Sequence, residues 1–357
     1  MRYYAIEIVD ETDTVVKDNS GKPLQFTSLI KGNYFNSYRG QATNQGALNI
    51  EMDIALSVYS EPLQNSFIRV WGIPLNLLSQ ANQFSYNQEI PDKRFYAKIS
   101  GGMWKGLPLA NPMQSGILTT GLIVQSFGNW QGTNQSLDLY LSASQTGYGE
   151  EKNFTFTWLK GMKLKDAIED TLLVVYEATE YKIEISEDLV LTQNVTHAVD
   201  SLSAFADYLN VLSKSIILDN NYSGVEIAIY PSSTLTGLFY ITDNFTYNPT
   251  PKKINFVDLV GQPTWKKIST ISFNVILRAD LRVNDYITLP QQLSNYALIT
   301  SPAGYASTPI APQGLRHNSI FNNTFRIKSL RHVGNFRDGN GNSWVTTIEA
   351  FRIIEGT

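Results

Sequence analysis

Oxygen-bearing side chains near the C-terminal end lie at the spacing of a calcium-binding loop. Asp338, Asn340 and Asn342 alternate with glycines, and Glu349 takes position 12 when Asp338 is position 1. Such a loop needs glycine at position 6, where this chain has Ser343. A hairpin turn explains the same residues, because Asp, Asn and Gly tolerate positive φ. We therefore interpret the stretch as a turn and predict no metal site.

Other motifs offer no clear chemical site. His197, His317 and His332 do not have the spacing of zinc ligands on a helix. The chain has no cysteine, which excludes disulfides, thiolate metal sites and thiol catalysis. The serine-hydrolase elbow, the phosphate-binding loop and the dinucleotide fingerprint are absent. Residues 101–106 are glycine-rich but predict a tight turn between strands, and no cofactor is predicted.

Adjacent carboxylates could serve as the acid and base of sugar hydrolysis, which needs two such groups across the bond that is cleaved. Two pairs are candidates, Glu150-Glu151 and Glu169-Asp170. The first pair lies in a predicted turn, and the second lies on a predicted helix that partly faces solvent. Neither is a persuasive acid–base pair, so no catalytic residue is assigned and the chain is predicted not to be an enzyme.

Residues 1–152 consist of short runs that alternate apolar and polar side chains. Clear alternation at residues 4–8 and 48–54 predicts strands. Residues 19–23 and 128–132 are rich in Gly, Asn and Pro or Trp and predict breaks between strands. This density of strands and turns is typical of a β-barrel or a β-sandwich.

Residues 153–245 change period and predict a small α+β domain. Apolar side chains recur at helical spacing over residues 164–175 and again over residues 202–212. Asp200 or Ser201 is the expected N-cap of the second helix. Residues 181–191, between the helices, predict a hairpin-like pair of strands.

Residues 246–357 predict a second β domain, in which residues 271–277 and 344–351 alternate as strands. Residues 289–323 contain several prolines and show no clear periodicity. A long irregular stretch inside a compact domain is often functional. We interpret it as an arm that reaches a neighbouring subunit, with a mobile loop as the alternative. No internal repeat is evident at a fixed period.

The composition favours protein–protein contact. Hydrophobic residues make up 43% of the chain, and charged residues make up 17%, against about 25% in typical domains. Uncharged polar and aromatic side chains fill the difference, which suits surfaces that are buried between proteins. The net charge of −4 and the lack of cation clusters argue against nucleic-acid binding. No apolar run is long enough to span a membrane, and the N-terminus predicts a strand rather than a signal peptide.

Three stretches carry a resemblance to a known family. They are residues 68–81 with 98–102 and 121–127, residues 259–289, and residues 325–350. In this order they resemble the baseplate and tail hub proteins of contractile-tailed phages, of the Mu-like and T4 types, and the related barrels of type VI secretion spikes. The second stretch contains a Gly261-Gln262-Pro263 turn. It departs mildly from the family pattern at Asn284-Asp285, where a Gly-Asp turn is usual.

The resemblance implies a fold and an assembly. The fold is β-rich α+β, with two tube-type β-barrel domains at residues 1–152 and 246–357 around a peripheral α+β domain at residues 153–245. The chain would be a structural subunit of a phage tail baseplate hub. A homotrimer would form a pseudo-sixfold ring that joins the tail tube protein to the central spike protein and initiates tube assembly. A tape measure protein is a further candidate partner. The expected location is the virion tail, assembled in the cytoplasm of a host bacterium.

Five aromatic residues are expected near contacts between subunits. They are Trp71, Trp265 and Trp344 and, on the predicted arm, Tyr305 and Phe321.

Two other functions stay open at this point. One is a tail-associated peptidoglycan hydrolase, which would depend on one or two carboxylates. The other is a host-surface adhesin, in which tryptophans such as Trp104 and Trp130 would stack on sugars, although aromatic residues of β proteins usually belong to cores or interfaces.

Overall fold

The computed structural model describes residues 1–29, 43–59, 66–86, 93–104, 111–142, 152–176, 180–230, 235, 237–247, 249–267, 269–290 and 323–353. Structural statements below concern these residues. Tyr305 and Phe321, the carboxylates Glu150-Glu151 and nearly all of the predicted arm lie outside them.

The described residues form eighteen strands and three α-helices. The N-terminal part contains β1 (Arg2–Asp10), β2 (Gln25–Thr27), β3 (Ile50–Ser57), β4 (Ser66–Trp71), α1 (Leu75–Gln80), β5 (Phe95–Met103), β6 (Gly116–Gln131) and β7 (Asn134–Leu141). The middle part contains β8 (Phe154–Trp158), α2 (Leu164–Val175), β9 (Glu180–Glu184), β10 (Val195–Val199), α3 (Leu202–Ile216), β11 (Glu226–Tyr230) and β12 (Leu238–Thr242). The C-terminal part contains β13 (Lys252–Lys253), β14 (Thr264–Lys267), β15 (Thr270–Ile276), β16 (Tyr286–Thr288), β17 (Thr324–Asn335) and β18 (Trp344–Arg352).

The predicted β-rich α+β class is confirmed, and both predicted helices are present. α2 spans Leu164–Val175, the same residues over which apolar side chains recur at helical spacing. α3 begins after Ser201, whose Oγ accepts a hydrogen bond from the backbone N–H of Ala204 at 3.1 Å. This is the N-cap that the sequence predicted, because a serine hydroxyl satisfies one of the free N–H groups at a helix start.

Thirteen strands form one large sheet. Its main path runs β14-β15-β18-β17-β3-β4-β7-β6-β5-β1-β2, with β16 beside β17 and β13 beside β16. Neighbouring strands along the main path are antiparallel. The pairing of β17 with β3 joins the C-terminal strands to the N-terminal ones, so one sheet runs through both ends of the chain.

A four-strand order occurs twice in this sheet: β3-β4-β7-β6 and β14-β15-β18-β17. We call these the first and the second repeat. Each repeat consists of two hairpins: β3-β4 and then β6-β7 in the first repeat, and β14-β15 and then β17-β18 in the second. The first strand of the second hairpin, β6 or β17, has a bulge. The bulge lies between Ile123 and Gln125 in β6 and between Ile327 and Ser329 in β17. The N-terminal half of β6 also pairs with β5, and the N-terminal half of β17 also pairs with β16.

Three large buried apolar clusters make up most of the core of the described residues, beside two small ones. The first fills the N-terminal strands but also includes Leu277 and Trp344 from the C-terminal part. The second lies between α2, α3 and the small sheet β11-β12-β9. The third fills the C-terminal strands and includes Tyr230 and Tyr240. Buried side chains from both sides of the predicted domain boundaries at 152/153 and 245/246 therefore pack in the same clusters. Those boundaries and the closure of two barrels stay predictions.

Two buried arginines link the parts of the chain. Arg326 of β17 donates to the Glu226 carboxylate of β11 at 3.0 Å and is 1% exposed. Arg278 pairs with Asp258 at 3.1 Å, and Gln114 of the N-terminal part donates to the same carboxylate at 3.2 Å. Breaking a buried pair leaves an uncompensated charge, so these contacts disfavour other arrangements of the parts.

The predicted hairpin at residues 181–191 is wrong. β9 is a strand, but it pairs in parallel with β12, with Ile183 opposite Ile241. The residues after β9 turn away, and Val190 makes an isolated bridge with Lys163. Alternation predicts a strand correctly but carries no information about a partner that lies far along the chain.

The breaks predicted at residues 128–132 and 101–106 begin inside strands, and residues 105 and 106 lie outside the described part of the chain. β6 continues through Gly128 to Gln131, and its turn comes at Gly132. Gly128 is needed for a close approach instead, since a Cβ there would lie 2.4 Å from the carbonyl oxygen of Leu78. Gly101 and Gly102 likewise belong to β5 rather than to a turn.

Candidate subunit interface

The solvent-facing side of the two repeats carries paired charges. Arg69 of β4 binds Asp138 of β7 with both ends of its guanidinium group, at 2.8 and 2.7 Å. Arg331 of β17 makes the same kind of contact with Asp53 of β3, at 2.7 Å for its Nε. These pairs cross from strand to strand and from one repeat to the other, because alternate residues of neighbouring strands share a face.

The pairing shifts the pKa values of Asp138 and Arg331 in the direction that favours their charged forms. Burial works to raise the pKa of Asp138, but hydrogen bonds from Arg69, Ser136 and Asn129 hold it below the usual value. The hydrogen bond to Asp53 raises the pKa of Arg331. At the far edge, Lys266 of β14 pairs with Glu349 of β18. This side of the sheet is therefore polar, and many of its opposite charges are paired. The two exposed pairs, Arg331–Asp53 and Lys266–Glu349, add at most about 1 kcal/mol each to stability. Asp138 is 2% exposed, so its pair with Arg69 is partly buried.

An aromatic patch lies on strands β4, β6 and β7 of the first repeat. It consists of Phe67, Phe127 and Tyr140. The ring of Tyr140 lies 5.0 Å from that of Phe67 and 6.1 Å from that of Phe127. Phe127 is 42% exposed and Tyr140 is 36% exposed, whereas the exposed Trp130 lies on the opposite face of β6. Exposed aromatic side chains in a group are typical of protein–protein contacts.

Each repeat ends at a strand edge. β14 is the last strand of the sheet path, and its four residues are exposed. On β6, the Ser85 hydroxyl bonds both the N–H and the C=O of Ser126, at 2.9 and 3.3 Å. C-terminal to Ser126, β6 has β7 on one side. On the other side of Gly128–Gln131, none of the described strands pairs with it.

The structure separates the predicted interface residues. Trp265 lies on the β14 edge and is 38% exposed. Trp71 is half-buried, and the guanidinium group of Arg69 lies over its ring at 5.1 Å. Trp344 is buried, and its indole donates to the carbonyl oxygen of Gly102 at 2.9 Å, so it packs within the chain. Contacts of any of these side chains with a second chain stay predictions.

The aromatic patch was not predicted from the sequence. The bulge at Val124 shifts the alternation of β6, so the side chains that face solvent cannot be read from a fixed period of two.

The calcium-like stretch forms the turn between β17 and β18, as predicted. The Asp338 carboxylate accepts hydrogen bonds from the N–H of Asn340, at 3.0 Å, and from the Ser343 hydroxyl. The Ser343 bond lowers the pKa of Asp338. Glu349 lies along β18 and pairs with Lys266. Within the described ranges, no group of three or more His, Asp or Glu side chains is placed to hold a metal ion.

The remaining chemical candidates lie apart from one another. Glu169 accepts a hydrogen bond from the Tyr181 hydroxyl at 3.0 Å. His197 stacks on Tyr208 with 4.0 Å between the ring centroids. His332 is buried, and its Nδ1 lies 2.9 Å from the Thr346 hydroxyl. No catalytic arrangement joins these side chains.

Trp104, one of the two tryptophans considered for sugar stacking, is 3% exposed. Its side chain is therefore unavailable to a ligand in this fold. None of the helices in the described part of the chain is both long enough and apolar enough to cross a membrane.

Comparisons with known proteins found similar solved structures but no related sequence. No protein-family model matches the sequence, and no curated protein matches it significantly. A type VI secretion component from E. coli, described as similar to two tail proteins of bacteriophage T4, aligns with 89% of this chain and 76% of its own, at 8% identity and a TM-score of 0.49.

Two further solved structures are similar. A tail protein from Neisseria meningitidis aligns with 98% of this chain and 96% of its own, at 9% identity and a TM-score of 0.46. The 43 kDa tail protein of prophage MuSo2 from Shewanella oneidensis aligns with 99% and 98%, at 7% identity and a TM-score of 0.47. All three descriptions mention tail proteins. Likeness at this level carries no conclusion about function.

Proposed function

We propose that the chain is a structural subunit of a phage tail baseplate hub and works as a homotrimer. Three copies would form a ring with six similar units around a central channel. The ring would join a tail tube protein on one side to a central spike protein on the other. It would also give the first layer of tube a surface on which to assemble, with a tape measure protein as a further partner.

The observation that carries this proposal is the repeat within one sheet. The orders β3-β4-β7-β6 and β14-β15-β18-β17 place two similar units side by side in a single chain. A chain with two such units can present a sixfold surface when three copies meet, while each whole chain retains threefold symmetry. That combination suits a piece that joins a sixfold tube to a threefold spike.

The polar side of the repeats is our candidate for the channel wall. Its carboxylates Asp53, Asp138 and Glu349 each pair with a cation on a neighbouring strand. A wall of this kind neither attracts nor strongly repels a polyanion, because paired charges have little field beyond about 10 Å at 0.1 M ionic strength. Passing DNA would therefore not be held.

The mass of the purified chain in solution tests the proposal. We expect particles of three times the 40.0 kDa chain mass at micromolar concentration, measured by light scattering after size-exclusion chromatography. Raising the salt concentration should leave the mass unchanged if buried apolar and backbone contacts hold the ring, since salt screens only exposed charge pairs.

A chain that remains at 40.0 kDa over this concentration range would contradict a self-assembling hub. A stable dimer would contradict it as well, since two copies cannot give a threefold ring.

A further inference from the structure

We propose that a cavity between the N-terminal, middle and C-terminal parts of the chain binds a small group with an apolar body and one oxygen that accepts a hydrogen bond, such as a phenol. This inference goes beyond the proposed hub, because the cavity lies within one chain and does not depend on the number of copies. A free molecule and a tyrosine side chain of another protein share this chemistry, and two probes separate them.

The cavity lies where the three parts of the chain meet, and its volume is about 400 Å³. The N-terminal part contributes Leu118 of β6, and the middle part contributes Tyr230 of β11. The C-terminal part contributes Leu281 and His332. Cavities of about 300–1,000 Å³ are the usual size of small-ligand sites in proteins.

The walls of the cavity are mostly apolar. All but three of the lining residues are apolar or aromatic, and the exceptions are Glu180, Arg282 and His332. The Tyr230 ring forms part of the wall, while its hydroxyl already donates to the carbonyl oxygen of Val283 at 2.8 Å. Water would find few partners here, since a buried water molecule typically makes about two to four hydrogen bonds.

One unpaired polar atom lies at the buried end of the cavity. His332 is 1% exposed, whereas Glu180 and Arg282 are exposed and mark the mouth. The Nδ1 atom of His332 lies 2.9 Å from the hydroxyl of Thr346, a residue that does not line the cavity. Nε2 points the other way and has no hydrogen-bond partner among the described residues.

The hydrogen bonds of Thr346 determine which ring nitrogen of His332 carries the proton. The backbone N–H of Arg278 donates to the Thr346 hydroxyl oxygen at 3.2 Å. The hydroxyl proton then goes to Nδ1, at 2.9 Å, rather than to the more distant Arg278 carbonyl oxygen, at 3.4 Å. Burial lowers the pKa of His332 to about 4, so the ring is neutral at pH 7. Because Nδ1 accepts, the single ring proton lies on Nε2, which donates into the cavity.

A ligand with one oxygen and an apolar body suits this arrangement. A buried N–H without a partner costs free energy, and an oxygen at Nε2 of His332 removes that cost. The apolar body displaces water that the walls hold poorly, which also favours binding. A phenol meets both requirements.

The mouth offers charges to the outer end of a ligand. The guanidinium group of Arg282 lies over the Tyr230 ring at 5.2 Å. Neither Arg282 nor Glu180 forms an ion pair with another described residue. A polar extension of the ligand, such as the backbone that carries a tyrosine side chain, would therefore meet polar groups where it leaves the cavity.

Histidine NMR on the full-length protein tests the site. The chain has three histidines, so isotope-labelled imidazole groups give three sets of signals. The variant His332→Leu identifies the set of His332 by its loss. We expect para-cresol to shift the His332 signals in a saturable manner and to leave those of His197 and His317 in place. Absence of a shift at His332, or an equal shift at all three histidines, overturns the site.

Toluene is the matched ligand, since it has the ring and the methyl group of para-cresol without the oxygen. Calorimetry measures the affinity of both ligands for the unsubstituted protein and for His332→Leu. The ratio of the para-cresol affinity to the toluene affinity should fall about tenfold in the variant, because the oxygen loses its partner. An unchanged ratio contradicts the hydrogen bond from Nε2.

A second variant leaves His332 in place and fills the cavity. Ala279 lines the cavity and is partly exposed, so Ala279→Phe adds a ring from the mouth inward. It should weaken para-cresol binding by about tenfold or more, because close-packed side chains leave no room for a second ring. Leu218→Phe is the control, since Leu218 is 88% exposed and does not line the cavity. Equal binding to both variants overturns the site.

N-acetyltyrosine amide separates the two sources of the ligand. A shift of the His332 signals with this probe as well as with para-cresol supports a tyrosine side chain of another protein. A shift with para-cresol alone supports a free molecule. The mass of the chain in solution, which tests the hub, is measured without either probe, so failure of the cavity site leaves the hub proposal standing.

Discussion

Arg326 lies on β17, but its polar contacts belong to the middle part of the chain. Besides Glu226, its guanidinium group donates to the Ser223 hydroxyl at 3.0 Å. A buried cation of this kind needs all its partners in place, so it ties the α+β part to the second repeat in one arrangement. Arg278 acts through Asp258, whose carboxylate also accepts a hydrogen bond from Gln114 of the N-terminal part.

His332 gives a prediction at this scale. Burial lowers its pKa from 6.5 to about 4. The unfolded chain takes up a proton as the pH falls below 6.5, while the folded chain keeps the imidazole neutral. The stability that depends on neutral His332 is therefore complete above pH 6.5 and is lost as the pH falls toward 4.

The variant His332→Gln removes this dependence. We compare the free energy of unfolding of the unsubstituted protein with that of the variant. The difference between the two should fall by about 2 kcal/mol when the pH is lowered from 7 to 4.5. Urea unfolding at both pH values measures it. A difference that does not change with pH would show that His332 is accessible to protons in the fold.

At residue scale the sequence predicted turns and caps better than contacts. Ser201 and the turn at Asp338 followed from local chemistry. Trp265 and Trp344 have the same side chain, yet one lies at an edge and the other in the core. Their exposure depends on which strands pair beside them, and that is a property of the whole sheet.

Among the elements, β6 and β17 organise the molecule. Each is long enough to pair with one strand along its first half and another along its second, and each has a bulge near the change. Bulges bend a strand and increase its twist. The same device in both repeats explains how two stretches of dissimilar sequence give one strand order.

The repeat could not be predicted from the sequence for the same reason. Burial demands only that apolar side chains alternate, and many sequences satisfy that demand. Helices α2 and α3 were predictable because their apolar period and caps are local. The parallel pairing of β9 with β12 and the pairing of β3 with β17 join residues far apart, about which local periodicity says nothing.

Gly128 gives a prediction for β6. The variant Gly128→Ala places a Cβ against the Leu78 carbonyl and should destabilise the protein by about 1–3 kcal/mol, as overpacking does in well-packed sites. Gly339→Ala is the matched control, since nothing lies within 4 Å of the added carbon. Thermal unfolding of both variants measures the effect. Equal melting temperatures would contradict the close packing of α1 on β6.

The whole molecule is best described as two similar β units in one sheet, with an α+β part fixed beside them by buried polar contacts. The charge pairs on one side and the aromatic patch both lie on the repeats. They are the features that an assembled ring would use, while the catalytic candidates remain scattered.

Negative-stain electron microscopy of the purified chain tests the ring most directly. We predict averaged images of a threefold ring with an open centre, in which six similar densities surround the channel, two from each chain. Images of single compact particles, or of threefold particles with three inner densities and no continuous ring, would contradict the proposal that the two repeats act as equal units of a hub.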